Sequence, residues 1–427
     1  MQSRHRLRLL WLLLVLVATL AVTCVDATAV TPANRAAAAG EPGVTDTEIR
    51  VGGVASTTNP LGGAYGDGFA GVKAYFDYVN SRGGIYGRKL ALVSERDDTV
   101  GNNRQEVQGL ISEDNLFAVM PVEVLVFTGA DLLANSDIPT FGWNINAEWG
   151  SEQAPGPPNL FGEKGSYLCF TCANPLLPWL ARRVHARRVG LLAYQNASSS
   201  ACAKGVQASF NKYPSAKLAF VDSSLSFGVT DLTGDVSGMK SKGVDLVATC
   251  MDNNGTLTLA KEMRKQDLNA AQYLPNAYNR EFMQTNASFY EGSYVLSFFT
   301  PFEVKRQPPG LKLFLKWAKK SGSPQNENAL AGWINADLFY KGLKEAGPEF
   351  TRQKVIDAIN KMTDYTAGGI LGGINWQIQH TGENPLTCQV ISKVHNGTFA
   401  PSFGTSTQPF VCFPPHPDRL PAAPTLK

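Results

Sequence analysis

Apolar positions recur in a helical rhythm early in the chain. Phe69, Val72, Phe76 and Val79 follow at steps of three, four and three, which puts them on one face of a helix. Asn80, Gly83, Gly84 and Gly87 end it, because glycine takes the left-handed backbone that a C-cap and a tight turn need. Leu90, Leu92 and Val93 then read as a buried strand of a parallel sheet, closed by the acids Asp97 and Asp98. A strand over 48–55 precedes the helix, so the unit is β-loop-α-β.

The alternation continues from Asp46 onward. Strands are expected over 89–95, 116–120, 138–141, 188–193, 217–222, 244–250, 273–275 and 294–298. Helices are expected between them, over 103–113, 200–211, 231–241 and 256–265. Such alternation implies parallel sheets joined by right-handed crossovers. The loop 143–165, with Pro155, Pro157 and Pro158, marks a boundary between two such halves. Helices follow over 310–320, 329–346 and 351–361. Gly368-Gly369 and Gly372-Gly373 then punctuate a shift to strands over 374–378, 387–394 and 398–401. The last residues carry Pro414, Pro415, Pro417, Pro421 and Pro424 and read as a disordered tail over 414–427.

The amino end changes the picture of where the chain works. Arg4, His5, Arg6 and Arg8 precede an almost wholly apolar run from Leu9 to Val22, the layout of an export signal over 1–23. The run is short for a membrane span, which takes about 20 residues. Two cleavage readings compete: a lipoprotein site at Ala21-Val22-Thr23-Cys24, which would lipidate Cys24, and ordinary cleavage after Ala27-Thr28-Ala29. Cys24 has no other use, which favours lipidation. Residues 24–45 are rich in Ala, Thr and Pro and read as a tether. Without residues 1–23, which hold three arginines and no acid, the 39 basic and 36 acidic residues become equal in number. Nothing in that balance attracts nucleic acid.

Seven cysteines less Cys24 leave an even set in an exported chain. Cys388 and Cys412 flank an apparent hairpin whose turn is Asn396-Gly397. Cys202 opens a helix and Cys250 ends a strand, and if these two pair side by side Cys169 and Cys172 would pair locally, one of the fifteen pairings that six cysteines permit. A redox or zinc site is the alternative for that last pair, but a redox motif opens a helix, and zinc needs a second ligand pair.

Gly66-Asp67-Gly68-Phe69-Ala70-Gly71 matches the dinucleotide fingerprint in letters only. That chemistry places the glycines directly after the first strand, and here Ser56 to Tyr65 intervene, with Gly68 and Gly71 inside the amphipathic helix. The glycines are expected instead to let this helix pack closely on its sheet. There is no G-x-S-x-G, H-E-x-x-H or phosphate-loop motif, and the five histidines form no ligand cluster. The chain reads as a binding protein without a cofactor or a metal, rather than an enzyme.

Three segments carry a family likeness: YGDGFAG with NSRGGIYGRKL and the Asp97-Asp98 pair, the stretch Asp231 to Lys265, and Ala331 to Ala336 with Gly369 to Trp376. Together they resemble the type I solute-binding proteins of ABC transporters, the leucine/isoleucine/valine-binding family, over about Asp46 to Pro401. The resemblance implies an α/β fold of two doubly wound parallel-sheet lobes with three hinge crossovers. Lobe 1 would hold 46–165 and 299–365, and lobe 2 would hold 166–298 and 366–413. It implies a monomer, exported to the periplasm or cell surface, that closes on a small solute and serves a membrane permease; a ligand sensor for a separate signalling partner is the alternative.

The family's amino-acid clamp does not carry over. Glu123 stands where the first-lobe serine belongs, Asn144 and Asn146 occupy the Ala/Thr loop beside Trp143, and Ser198 and Asp252 replace second-lobe tyrosines. The ammonium-binding acid falls near Ala277 and Tyr278. The expected ligand-binding residues are therefore Tyr65, Glu123, Trp143, Asn144, Asn146, Ser198, Asp252 and Tyr278, with Trp143, Tyr65 and Tyr278 as stacking faces.

Overall fold

The strand that opens the first unit is buried along most of its length, as a central strand covered on both faces must be. In the computed structural model, which describes residues 40–150, 156–166, 169–383 and 386–427, this is β1 (Glu48–Ala55). The expected signal, Cys24 and the tether as far as residue 39 lie outside the described residues. With β2 (Lys89–Asp97), β3 (Ala118–Glu123), β4 (Thr140–Gly142) and β5 (Leu160–Gly162) it forms one sheet, in the order β2-β1-β3-β4-β5, parallel throughout.

Helix α1 (Asp67–Asn80) buries Phe69, Val72, Phe76 and Val79 as its spacing predicts, each contributing roughly 1.5–3 kcal/mol on leaving water. Its glycines face another helix as well as the sheet. A Cβ on Gly71 would meet the carbonyl oxygen of Ala329 at 1.8 Å, and one on Gly332 would meet that of Gly68 at 1.9 Å. The turn after α1 is fixed by Asn80, whose side chain donates to Leu90 O at 2.8 Å and accepts from Leu90 N at 2.9 Å. Helices α2 (Asn103–Ser112) and α3 (Ala130–Ala134) complete the connections of this first lobe.

The second sheet is mixed. Strands β6 (Arg188–Tyr194), β7 (Lys217–Leu225), β8 (Leu246–Cys250), β9 (Ala271–Leu274) and β10 (Tyr294–Ser297) are parallel. Strand β11 (Thr387–His395) joins β10 antiparallel and also pairs with β12 (Thr398–Ser402) and β13 (Val411–Phe413). Asn396 and Gly397 make the β11–β12 turn with positive φ. Helices α4 (Leu176–Arg183), α5 (Ala197–Lys212), α6 (Thr233–Ser241), α7 (Asn253–Lys265), α8 (Arg280–Thr285) and α9 (Ala287–Tyr290) belong to this second lobe. The chain then supplies α10 (Pro309–Ser321), α11 (Glu327–Ala346) and α12 (Arg352–Ile359) to the first lobe's core, where Phe339 packs on Phe76, Phe117 and Phe141. Two connecting segments run side by side, with Phe299 bridged to Leu371 and Thr300 N donating to Ile370 O at 2.7 Å.

Two expectations are corrected. Residues 374–378 alternate like a strand, yet Trp376–Ile378 is a 3-10 turn, and only Ile374 pairs, with Tyr365. The Asn375 side chain accepts from Gln377 N at 3.1 Å, a local bond that competes with a ladder. Residues 414–427 are not a loose tail. Tyr213 donates to Pro417 O at 2.7 Å, Lys212 to His416 O at 3.1 Å and Arg182 to Pro421 O, and β14 (Thr425–Leu426) pairs with β13. Proline lacks an N–H but keeps its carbonyl, so outside donors hold the segment.

Candidate ligand-binding cleft

In an open parallel sheet, ligands lie beyond the carboxyl ends of the strands. Four short segments of the first lobe meet there: the loop 56–66 after β1, Glu123 at the end of β3, Trp143 to Asn146 after β4, and Glu163 to Gly165 after β5. Asn59 shapes the first loop, accepting from Leu61 N at 3.0 Å and Gly63 N at 3.2 Å and donating to Gly63 O at 2.9 Å. The loop delivers Tyr65 to within 5.6 Å of Trp143, ring centre to ring centre, at 35°.

Beneath these rings lie acids with little to hold them. Glu123 and Glu163 are each 1% exposed. Among the described residues, Glu123 Oε2 and both carboxylate oxygens of Glu163 have no hydrogen-bond partner. Burial pushes Glu123 well above the carboxylate range, and Glu163, Glu327 and Asp67 add to the rise. Burial raises Glu163 to about 8 against the pull of Lys164. Burial also holds Lys164 below its usual value, opposed by both acids, and its Nζ sits 4.6 Å over the Phe298 ring. Glu327, in the first turn of α11, is raised to about 7 by burial. The Tyr65 hydroxyl is raised by burial, then by Glu123, Asp252 and Glu327, so one phenol feels acids from both lobes.

The second lobe meets this group at a seam. Asp252 follows β8 and caps α7, accepting from Gly255 N at 3.1 Å and Asn254 N at 3.2 Å. The Tyr194 hydroxyl also donates to it, at 2.5 Å. The next residue but one touches the first lobe, Asn254 Nδ2 donating to Leu61 O at 3.4 Å. Ser198 is exposed in the first turn of α5, a helix capped by Asn196 accepting from Ser199 N at 3.0 Å. Cys202 and Cys250, with Cα atoms 6.1 Å apart, tie the start of α5 to the end of β8 and so hold the loops bearing Ser198 and Asp252 together. The other cysteine pairs are Cys169 with Cys172 and Cys388 with Cys412, at Cα separations of 5.3 and 4.1 Å.

The expected site residues thus divide. Tyr65, Glu123, Trp143 and Asp252 converge on the seam. Asn144 is wholly buried beside them, its amide donating to Gly165 O and its Oδ1 unpartnered. Asn146 is spent on structure, donating to Val124 O at 3.1 Å. Tyr278 does not offer a stacking face. Its ring is stacked on Phe399 at 4.3 Å, and its hydroxyl donates to Glu303 at 2.7 Å and accepts from Phe302 N at 2.8 Å. Glu163, Lys164 and Glu327 were not expected. A charged pair directly after the apolar Leu160-Phe161-Gly162 was the available signal, since it stands at a strand's carboxyl end as Glu123 does. Among the described residues no three His, Cys, Asp or Glu side chains converge as metal ligands, and no helix is long and apolar enough to cross a membrane.

Two doubly wound lobes joined by connecting segments that run side by side, with polar groups gathered at the seam, define a hinged binding protein. The chain belongs to the periplasmic binding protein family, whose model matches residues 48–397. Solved structures share its fold. A branched-chain amino acid ABC transporter protein from Thermus thermophilus with bound valine aligns at a TM-score of 0.69 and 17% identity, over 83% of this chain and 95% of that one. An ABC transporter solute-binding protein from R. palustris in complex with 4-hydroxybenzoate gives 0.67 and 15%, over 87% and 98%. A fatty acid ABC transporter substrate-binding protein from Thermomonospora curvata gives 0.67 and 18%, over 85% and 93%. No curated protein matches the chain.

Proposed function

We propose that this chain is an extracytoplasmic solute-binding protein that captures a small polar solute between its lobes and delivers it to an ABC-type import permease. It works as a monomer, and the Cys24 lipid anchor keeps it near the membrane. The family supports the binding role. The observation that carries the site is the pair Glu123 and Glu163, buried with unpartnered oxygens at the strand ends beside a seam that Asp252 faces from the other lobe. Tyr65, Trp143 and Asn144 from the first lobe, with Ser198 and Asp252 from the second, complete the lining. The neighbours in fold bind an amino acid, an aromatic acid and a fatty acid, so the scaffold sets no one ligand. Closure excludes water and strengthens each polar contact made inside.

The reading is tested by X-ray scattering and thermal melts across a collection of small polar solutes. A true ligand compacts the particle and raises Tm, because it binds only the folded chain. A particle that keeps its radius and Tm with every solute overturns the reading. Mass spectrometry of the exported protein checks the anchor: a diacylated amino-terminal Cys24 is expected, and cleavage at Ala29 removes it.

A further inference from the structure

The first lobe's strand ends hold hydrogen-bond acceptors that nothing among the described residues satisfies. Glu163 has two such oxygens and Glu123 one, in side chains that are 1% exposed. A buried acceptor without a donor is costly, so a site that keeps three of them together is built to receive donors from outside. Charge narrows the class. Glu123, Asp252 and Glu327 act on Tyr65, and Glu163, Glu327 and Asp67 act on Glu123. The basic groups beside them are Lys164 and Arg280, and Arg280 is already paired with Glu303 at 3.0 Å. The Tyr65–Trp143 pair adds aromatic faces, which attract cations.

We infer that the ligand is a small organic cation bearing N–H donors, an amine or guanidine, whose charged head is held by Glu123 and Glu163 on the first lobe. The inference rests on the solute-binding reading above. Once the acids are ionised, a carboxylate at this position is repelled, and a polyol supplies donors but leaves their charge uncompensated. A quaternary ammonium supplies charge without donors and leaves the oxygens unpartnered.

The geometry implies a linked proton. Glu163 is raised by burial and faces Lys164; Glu123 faces Glu163, Glu327, Lys164 and Asp67. Below about pH 8 the empty site holds a proton on Glu163, and a cation must expel it to bind. Affinity for a guanidinium, which stays charged throughout, therefore rises with pH up to that point.

The test is isothermal titration of the full chain with agmatine and putrescine, against choline, L-valine and benzoate. Agmatine or putrescine is expected to bind, with proton release seen as a buffer-dependent heat and with choline and both carboxylates far weaker. Glu163→Gln, an isosteric change, should weaken the cation by about thirtyfold or more. Binding of a carboxylate or neutral solute while both cations fail overturns the ligand class and leaves the solute-binding reading standing. Cation binding with no proton release and an unchanged affinity in Glu163→Gln overturns it too. Failure of every solute in the wider collection removes both.

Discussion

The two lobes each bring acids to the seam, and they treat them in opposite ways. On the second lobe Asp252 is fully occupied: two backbone N–H groups of α7 and the Tyr194 hydroxyl donate to it. On the first lobe Glu163 is deeper and has no donor among the described residues. One carboxylate is used to build the helix start; the other is held open. An acid's position in the cleft therefore does not reveal its role, and the number of donors already aimed at it does.

The largest expected effect comes from the staple of the second lobe. Cys202→Ser with Cys250→Ser opens a link between residues 48 apart in sequence, and denaturant unfolding should show about 2–5 kcal/mol lost. If the bridge only decorates the surface, the loss falls below about 1 kcal/mol.

Glu163→Gln comes next and should act with the other sign. The folded-state pKa of Glu163 is raised, to about 8, so the folded chain holds a proton that the unfolded chain releases above about pH 4.3. That group's contribution to stability is greatest in acid and is lost as pH rises through the window up to 8. Glu163→Gln should flatten this decline and stabilise the protein at pH 8 by roughly 2–4 kcal/mol, read from melts across pH. A wild-type slope that the variant retains would show that Glu163 is ionised and satisfied.

Asp252→Ala should cost roughly 1–3 kcal/mol, because α7 loses its cap and Tyr194 its acceptor. Asp252→Asn keeps a good capping side chain and should recover most of that loss. Equal damage from both would mean the charge, not the cap, matters. Ser198→Ala is the smallest change, within about 0.5 kcal/mol of stability by the same unfolding assay.

The alternation of strands and helices was legible because each apolar face repeats with its own period; α1 and its turn stand where Phe69, Val72, Phe76 and Val79 put them. Strand β3 was misplaced. It was expected over 116–120 but runs Ala118–Glu123, continuing through Pro121, which keeps a carbonyl that accepts from Trp143 N at 3.2 Å. Strand β5 is three residues long, too short for any period to show. The site was half legible. Glu123 and Trp143 were reached through the resemblance, which sets Glu123 where the first-lobe serine belongs and Trp143 beside the Ala/Thr loop. Glu163 and Lys164 fall in the loop 143–165, which the sequence marks only as a boundary between the two halves, and cover from other segments buries Glu163. Tyr278 failed for the converse reason: an aromatic near a strand end is equally at home in the core, and Phe299, Phe302 and Phe399 claim it.

The Cys202–Cys250 link has a practical corollary for making the protein. Its two loops are tied only where thiols oxidise, so chains produced in a reducing cytosol reach the assay bench with that half of the jaw unlatched. Ligand screens should therefore start from material secreted through an oxidising compartment, or from refolded chains whose free-thiol content has been titrated to zero.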